Sequence, residues 1–525
     1  MSRSVKSLFP FLFASLVLFA ITRINYSFWP PVWPDEALFS SPAAQLAETG
    51  IFSTPVLEGL IPGMEKATLW NSPFFMALTS LVYRFTGESL AAARSVSLVL
   101  GFLSAGVFVL IISCFLEKKF VLPAVLFLVF DPAFHRSANT ARMDMLTLFW
   151  ILLSLYFLVR EFQGRVREQS KTSLLWFFLS GHSAGLAVMS HPAGILLIPI
   201  LLIFSLPRLY LLLPAAAGWL IGITPWIYYI SRYPDLFKIQ FVSQLVRKTD
   251  LFRLWGGDTG GIFVVFASQY GGGALSMIGI GLVIVAVLLA SALFLYSRRS
   301  DWKTDLYFRL FAAFCATFVL VLAATEGWYA LYIGPFVILL AGYLASSSSS
   351  PFFRRLFLAV GLFFVFAFVL FTLRNHLIFK TDRAVTAYNA SMIQTVRGCH
   401  RVYLRVRPDP YFLIRRDLPD TRPFEFVPGK LQVSQESGKF SLAAWFFDRI
   451  IPGETQLPDR KESLLVAYRS FDCFLLDDHG DWEPSLTDFL EKNRKNYSTV
   501  RIEAARPLES STLWKLRRIG PVRHP

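Results

Sequence analysis

The sequence predicts an all-α polytopic membrane bundle of about eleven transmembrane helices, followed by a C-terminal extracytoplasmic α/β domain. Of its 525 residues, 54% are hydrophobic and only 17% are charged, whereas a soluble domain usually carries about 25% charged residues. Several apolar runs reach the ~20 residues that a helix needs to cross a bilayer. The alternating segments of about ten residues that are typical of a transmembrane β-barrel are absent.

Hydropathy places the spans, and the charges between them set their direction. The predicted spans are 8–27, 89–113, 120–134, 143–160, 174–190, 192–206, 209–230, 274–296, 306–324, 328–345 and 356–374. If the N-terminus with Arg3 and Lys6 is cytoplasmic, every inside loop is basic, as the positive-inside rule requires. The first run lacks a small-residue cleavage site, so we expect a signal anchor. The net charge of +15 then reflects membrane orientation, and we expect no nucleic-acid partner.

This topology divides the chain into a membrane module, residues 1–374, and an outside tail, residues 375–525. Two further outside segments are long, namely 28–88 and 231–261. The tail mixes strand-like runs with a helix-like one and is long enough for one small α/β domain. Its strand-like runs are CHRVYLRV (399–406) and SLLVAYRSFDCFLLDD (463–478), and its helix-like run is SLTDFLEKNRKN (485–496). A disulfide between Cys399 and Cys473 is possible if the tail lies outside.

Two adjacent acids, Asp35 and Glu36, follow a tryptophan and a proline where the first span ends. They can serve a helix start, because Pro34 suits a first turn and acids there meet the helix dipole. We expect Pro42 to interrupt that helix, however, and an amphipathic interfacial helix to start afresh over 42–49. The acids then lie in a short stretch at the membrane exit, either as catalytic groups or as a solvated surface pair.

Other charged and aromatic residues collect on the same predicted side. Glu65 and Lys66 stand together in the first outside segment, and Arg142 and Asp144 stand at the start of the fourth span. Two residues are about 200° apart on a helix, so we expect Arg142 to precede the helix or to snorkel. Charges at span ends are often functional, which favours a role for Asp144. His191 is either a core histidine or a ligand contact. Tyr329 and Tyr332 are either an interfacial aromatic belt or ligand contacts.

The order of these features resembles a family. It runs from DE (35–36) through EK (65–66), GESLAAAR (87–94), RMD (142–144) and HPAG (191–194) to EGWYALYIGPF (326–336). Over about 1–345 the chain resembles the GT-C membrane glycosyltransferases, in the branch of the protein O-mannosyltransferases and the lipid A aminoarabinose transferase. The resemblance implies a transferase that takes a sugar from a polyprenyl phosphate at the outer leaflet.

The resemblance also implies site residues. The family's first-loop aspartate corresponds to Asp35, as base or acceptor-orienting group, and its lysine corresponds to Lys66, a contact to the donor phosphate beside Glu65. The late aromatic motif corresponds to Tyr329, Tyr332 and Pro335, with Trp328 where the family often has an arginine. The predicted catalytic residues are Asp35 and Glu36. The predicted substrate-binding residues are Glu65, Lys66, Arg142, Asp144, His191, Tyr329 and Tyr332.

The chemistry is consistent with this assignment. Inverting transfer to a hydroxyl needs a base for the hydroxyl proton and positive charge for the departing phosphate. Asp35 can supply the base, and the charge can come from Lys66, Arg142 or a basic residue of 231–261, namely Arg232, Arg247, Lys248 or Arg253. No nucleotide diphosphate is split, so no cofactor is required and a divalent metal is optional.

We expect the partners to be a polyprenyl-phosphate-linked sugar donor, a glycan, lipid or protein acceptor, and membrane lipids. The expected location is the bacterial inner membrane, with many spans and the tail extracytoplasmic. Two other functions stay open. A lipid or solute transporter or flippase needs charges along the middle of several spans or broken helices in two related halves, and neither is evident. A non-catalytic scaffold presenting the tail is the other alternative.

Overall fold

The computed structural model describes most of the chain. The described residues are 3–23, 31–166, 173–206, 208–242, 266–271, 274–298, 305–323, 327–378, 382–426, 460–478, 484–504 and 510–517. Within them, seven helices are long and apolar enough to cross a membrane, and a pair bent by 64° makes an eighth candidate. Every predicted span contains helix, which confirms the helical membrane bundle. The predicted number of spans is not confirmed, because three of the segments hold shorter apolar helices.

The helices follow the predicted order along the chain. In the first part they are α1 (Arg3–Arg23), α2 (Pro34–Thr49), α3 (Phe74–Thr86), α4 (Leu90–Ile112), α5 (Lys118–Val129), α6 (Pro132–Ala138), α7 (Asp144–Val166), α8 (Ser173–Ser190), α9 (Leu197–Ser205) and α10 (Leu212–Arg232). The remaining membrane-module helices are Pro234–Phe237, Ala274–Arg298, Leu306–Ala323, Gly334–Ser347 and Pro351–Ile378.

Small residues bring α8 and α10 into backbone contact. A Cβ atom added to Gly181 would collide with the backbone of Ala215, and one added to Gly218 would collide with that of Phe178. Gly185 and Gly222 lie in the same crossing. Close approach through small residues is how membrane helices gain packing energy without a hydrophobic driving force between them. This crossing holds α8 in place, and His191 follows directly after it.

The first outside segment differs from the expectation at Pro42. One helix, α2, runs from Pro34 to Thr49 with Pro42 inside it, so the predicted interruption is wrong. Residues 36–44 of this helix are buried, whereas its last residues, 48 and 49, are exposed. Burial of that surface in the bundle supplies the packing energy that offsets the hydrogen bond lost at proline. Asp35 and Glu36 therefore occupy the first turn of α2.

The tail contains a five-stranded mixed sheet in the order β2-β1-β3-β5-β4. Its strands are β1 (Arg401–Arg405), β2 (Arg422–Glu425), β3 (Cys473–Asp477), β4 (Tyr497–Ile502) and β5 (Ser511–Leu516). Its helices are Asp382–Val396, Tyr411–Asp417, Arg460–Tyr468 and Pro484–Lys492. The α/β prediction is confirmed. The strand-like run 463–478 divides, however, because its first part belongs to the Arg460–Tyr468 helix and only Cys473–Asp477 is strand.

The sheet is parallel on one side and antiparallel on the other. Strand β1 lies between β2 and β3 and is parallel to both, while β5 is antiparallel to β3 and β4. Cys399, just before β1, forms a disulfide with Cys473 at the start of β3. The pairing that the sequence left open is therefore present.

The tail is held against the membrane module by polar contacts. The backbone N–H of Asp409 donates to the carbonyl of Val32 at 2.9 Å. The Tyr411 hydroxyl and the Arg415 Nε donate to the Glu88 carboxylate at 2.6 and 2.8 Å. A second nitrogen of Arg415 meets Glu48 at 3.0 Å. The tail thus contacts the segment between α1 and α4 that carries Asp35.

Candidate active site

The first turn of α2 is closed by one of its own acids. The Glu36 backbone N–H donates to the Trp33 carbonyl at 2.8 Å, and the Trp33 N–H donates to the Glu36 carboxylate at 3.2 Å. A hydrogen bond from the N–H of the cap residue to the side chain of the third helical residue is one of the two bonds of a capping box. Glu36 therefore fixes the position at which the helix starts, and Asp35 is held one residue before it.

The same Glu36 side chain is a buried junction. Its two oxygens accept from Arg94 of α4 at 2.7 and 2.9 Å, and one of them accepts the Ala141 N–H at 2.9 Å. Glu36 and Arg94 are 0% and 1% exposed, so the pair is shielded from water. One carboxylate thereby joins α2, α4 and the turn before α7.

That turn delivers Arg142 to Asp35. Arg142 forms an ion pair with Asp35 and donates through Nε to Asp144 Oδ2 at 2.8 Å. Asp144 is the first residue of α7, and Arg142 lies before the helix, as expected from the sequence. Side-chain exposure is 33% for Asp35, 7% for Arg142 and 2% for Asp144. Of these three side chains, only that of Asp35 is substantially open to solvent.

Trp328 adds a shared aromatic surface. The guanidinium carbon of Arg142 lies 4.1 Å from its ring centroid, and that of Arg136 lies 3.9 Å from the same centroid. Cations at this range over a tryptophan are attracted by the ring quadrupole. We call Asp35, Arg142, Asp144, Arg136 and Trp328 the entrance cluster.

Arg136 was not predicted from the sequence as a site residue. Its signal was present, because it lies in the same outside turn as Arg142, in the segment FHRSANTARMD. It donates to the neutral amide of Gln269 at 2.8 Å, and it makes no ion pair within the residues that the structure describes. Within the described residues, Arg142 of the entrance cluster is therefore ion-paired with carboxylates, and Arg136 is not.

His191 and the two tyrosines form a separate buried group. His191 Nδ1 accepts the Ala193 N–H at 3.0 Å and so caps the short 3-10 helix Pro192–Leu196, while Nε2 lies 3.4 Å from the Tyr329 hydroxyl. The rings of Tyr329 and Tyr332 are 5.9 Å apart. Both tyrosines are buried, at 7% and 1% exposure, so the interfacial-belt alternative is wrong. Tyr332 is close enough to Arg142 and Asp144 to interact with them electrostatically.

Glu65 and Lys66 lie apart from these contacts. Both are exposed in the turn before α3, and within the described residues neither makes a side-chain hydrogen bond or an ion pair. Gln240 holds this turn in place: it accepts the Leu69 N–H at 2.8 Å and donates to the Ala67 carbonyl at 3.1 Å. Gln240 belongs to the second outside segment, and the sequence analysis did not identify it.

The remaining predicted basic residues divide in two. Arg232 ends α10 and lies over the Tyr228 ring at 5.2 Å. Arg247, Lys248 and Arg253 lie outside the described residues, as does the predicted helix 237–253 beyond residue 242. In the described part of the chain, no three His, Cys, Asp or Glu side chains form a group that could hold a metal ion.

The sequence of this chain is similar to one protein family over part of its length. The family model for dolichyl-phosphate-mannose-protein mannosyltransferase matches residues 71–230, which run from just before α3 to α10 and include Arg94, Arg136, Arg142 and Asp144. Among curated proteins, no sequence matches the chain. The family match indicates a glycosyltransferase.

Solved structures share the fold over nearly the whole chain. ArnT from Cupriavidus metallidurans bound to undecaprenyl phosphate has a TM-score of 0.57 at 14% identity, with 98% of each chain covered. The oligosaccharyltransferase of Archaeoglobus fulgidus tethered to an acceptor peptide has a TM-score of 0.53 at 12% identity, covering 97% of this chain and 76% of that one. The archaeal oligosaccharyltransferase AglB from Archaeoglobus fulgidus, in complex with an inhibitory peptide and a dolichol-phosphate, has a TM-score of 0.51 at 12% identity, covering 98% of this chain and 75% of that one. The GT-C fold and the predicted resemblance are confirmed.

Proposed function

We propose that this GT-C glycosyltransferase moves a sugar from a polyprenyl phosphate to an acceptor hydroxyl on the extracytoplasmic face, with inversion and with Asp35 as the base. The observation that carries this proposal is the contrast within the first turn of α2. Glu36 is wholly buried and occupied by Arg94, whereas Asp35 is held by Arg142 and still reaches solvent. A base must reach the proton that it takes.

The donor class rests on the similar structures and on charge. The ArnT and AglB structures carry undecaprenyl phosphate and dolichol-phosphate, and a lipid phosphate keeps its tail in the bilayer. In the proposed step, Asp35 takes the proton of the acceptor hydroxyl, whose oxygen bonds to the anomeric carbon. The bond from that carbon to the phosphate oxygen breaks, and the lipid phosphate leaves with the electron pair. Arg136, which makes no ion pair within the described residues, is the cluster cation proposed to stabilise it.

Each remaining predicted residue has a place in the proposal. Arg142 and Asp144 orient Asp35, and Glu36 becomes a positioning residue because its oxygens are already engaged. Lys66, with Glu65 beside it, is proposed to meet the donor phosphate from its exposed turn. His191, Tyr329 and Tyr332 are proposed to line the substrate side, because Tyr332 interacts electrostatically with Arg142 and Asp144 and lies beside Tyr329, whose hydroxyl is 3.4 Å from His191. The acceptor is a glycan, lipid or protein hydroxyl.

The extracytoplasmic orientation is supported by two independent features. The loops on the opposite side are basic, as the positive-inside rule requires of cytoplasmic loops. The tail carries the Cys399–Cys473 disulfide, and disulfides persist in oxidising compartments. With the tail outside, the entrance cluster lies at the outer surface of the bundle, and the bacterial inner membrane remains our proposed location.

The test replaces Asp35 by asparagine and compares the envelope glycans and lipids of cells that carry the wild-type or the variant protein. A positioned base contributes about 10²–10⁴-fold to the rate. The Asp35→Asn variant should therefore form at least about 100-fold less product than the wild type while it stays folded. Asp235→Asn is the matched control. Asp235 also follows a proline in a first turn, but it lies outside the entrance cluster. Near-normal product with Asp35→Asn would falsify its assignment as the base.

A further inference from the structure

Two carboxyl groups of the tail are buried against the start of α2. Asp409 and Glu425 are 3% and 0% exposed. Asp409 follows β1, and Glu425 is the last residue of β2, opposite Leu404 in the register. Asp409 Oδ2 and both carboxyl oxygens of Glu425 are buried and accept no hydrogen bond from a donor within the described residues, and the two carboxyl groups are close enough to act on each other's ionisation. We call Asp409 and Glu425 the tail acid pair.

The tail acid pair is fixed to the membrane module. The Asp409 N–H donates to the Val32 carbonyl at 2.9 Å, three residues before Asp35, and Asp409 Oδ1 accepts the Tyr411 N–H at 2.8 Å. The guanidinium of Arg407 stacks 3.7 Å from the ring centroid of Trp33. The peptide that carries Asp409 therefore adjoins the peptide that leads into Asp35.

The charges around the tail acid pair are mostly negative. From α2, the Glu36 carboxylate acts on Asp409 and the Asp35 carboxylate acts on Glu425, each opposing ionisation. The arginines behind these acids are engaged, Arg94 by Glu36 and Arg142 by Asp35 and Asp144. In the part of the chain that the structure describes, no arginine or lysine pairs with Asp409 or Glu425.

Two buried carboxylates without a cation cannot both be ionised at low cost. Their buried oxygens have no donor within the described residues, and a carboxyl group can itself donate a hydrogen bond only when it carries a proton. We propose that Asp409 and Glu425 are positioning residues of the active site, which keep their protons so that no further negative charge stands beside the bound lipid phosphate. The inference rests on the proposed function, because it concerns the same phosphate site.

The pH dependence of the charge on the tail acid pair follows from the direction of the two pKa shifts. Burial, more than any neighbouring charge, raises the pKa of Asp409 to about 7 and that of Glu425 well above its usual value. The tail acid pair is therefore neutral in mildly acidic solution and gains a negative charge as the pH rises through about 7. Because the pKa of Asp409 is higher in the folded protein than in the unfolded chain, this carboxyl group stabilises the folded state at low pH, and that contribution is lost as the pH rises from the unfolded pKa to about 7.

The experiment measures the affinity of full-length protein in lipid nanodiscs for undecaprenyl phosphate between about pH 6 and pH 9. One added buried charge near the phosphate should weaken wild-type binding by roughly tenfold across this interval. The double variant Asp409→Asn/Glu425→Gln cannot ionise there and keeps the shapes of both side chains. Its affinity should stay level or rise, because the lipid phosphate itself gains charge above about pH 6.

Two further variants complete the test. Asp409→Asn alone keeps the oxygen that accepts the Tyr411 N–H. It should abolish most of the loss of affinity at high pH even if the double variant folds poorly. Asp417→Asn removes an exposed acid of the same tail, which pairs with Arg416, and should behave as wild type. Parallel pH curves for wild type and the Asp409 variants overturn this inference alone. No binding at any pH overturns the proposed donor class and this inference together, whereas loss of product with Asp35→Asn bears only on the base.

Discussion

The start of α2 and the adjoining part of the tail bury acids in opposite ways. At α2, Glu36 is met by Arg94 and Asp35 by Arg142. In the tail, Asp409 and Glu425 are met by each other. An arginine beside a carboxyl group favours its ionised form, whereas burial beside another carboxyl group favours the protonated form. The same region of the protein thus holds acids with a cation partner and acids without one within the described residues.

The largest effect is expected from removing one partner of the buried Glu36–Arg94 ion pair. Arg94→Met leaves the Glu36 carboxylate buried without its cation, and breaking such a pair costs about 3–5 kcal/mol. We expect a large fall in thermal stability in detergent, and loss of the turn that carries Arg142. Glu36→Gln keeps only one acceptor oxygen, whereas the Trp33 and Ala141 N–H groups donate to different oxygens of Glu36, and it leaves Arg94 buried without a counter-charge, so we expect a fall of similar size. Equal, small effects of both variants would show that the pair does not organise the entrance.

Trp328 tests how the two arginines are held. Trp328→Leu removes the ring that both guanidinium groups contact, and each cation–π contact contributes about 0.5–2 kcal/mol. We expect product formation to fall by roughly tenfold with little change in thermal stability. Trp328→Phe keeps an aromatic face and should recover part of the loss. If Trp328→Phe and Trp328→Leu are equally impaired, the ring's size matters and its quadrupole does not.

A smaller effect is expected where the tail meets the membrane module. Arg415 touches both Glu88 and Glu48, whose side chains are 9% and 54% exposed. Glu88→Gln removes a buried charge-assisted contact and should weaken tail docking by about 1–3 kcal/mol, while Glu48→Gln should change it by less than about 1 kcal/mol. Limited proteolysis of the tail measures both. Equal cleavage rates for the two variants would contradict the role given to Glu88.

Much of the architecture was predictable because it depends on composition and local pattern. Apolar runs identify the helices, since unsatisfied backbone groups in lipid leave few other structures. The order of motifs identified the GT-C resemblance and pointed to Asp35, Arg142 and Asp144. The predicted break at Pro42 was wrong because local proline chemistry was weighed without the tertiary burial of α2.

The sequence by itself determined the membrane class, the α/β tail and the neighbourhood of the site, because hydropathy, loop charge and motif order are local properties. Only the tertiary structure decided which of the two acids reaches solvent. Asp35 and Glu36 are adjacent and chemically alike, and their difference comes from Arg94, 58 residues away, and from the turn at Ala141. The same holds for Arg136 on Trp328 and for Asp409 beside Glu425. Such pairs depend on distances through space, to which spacing along the chain gives no guide.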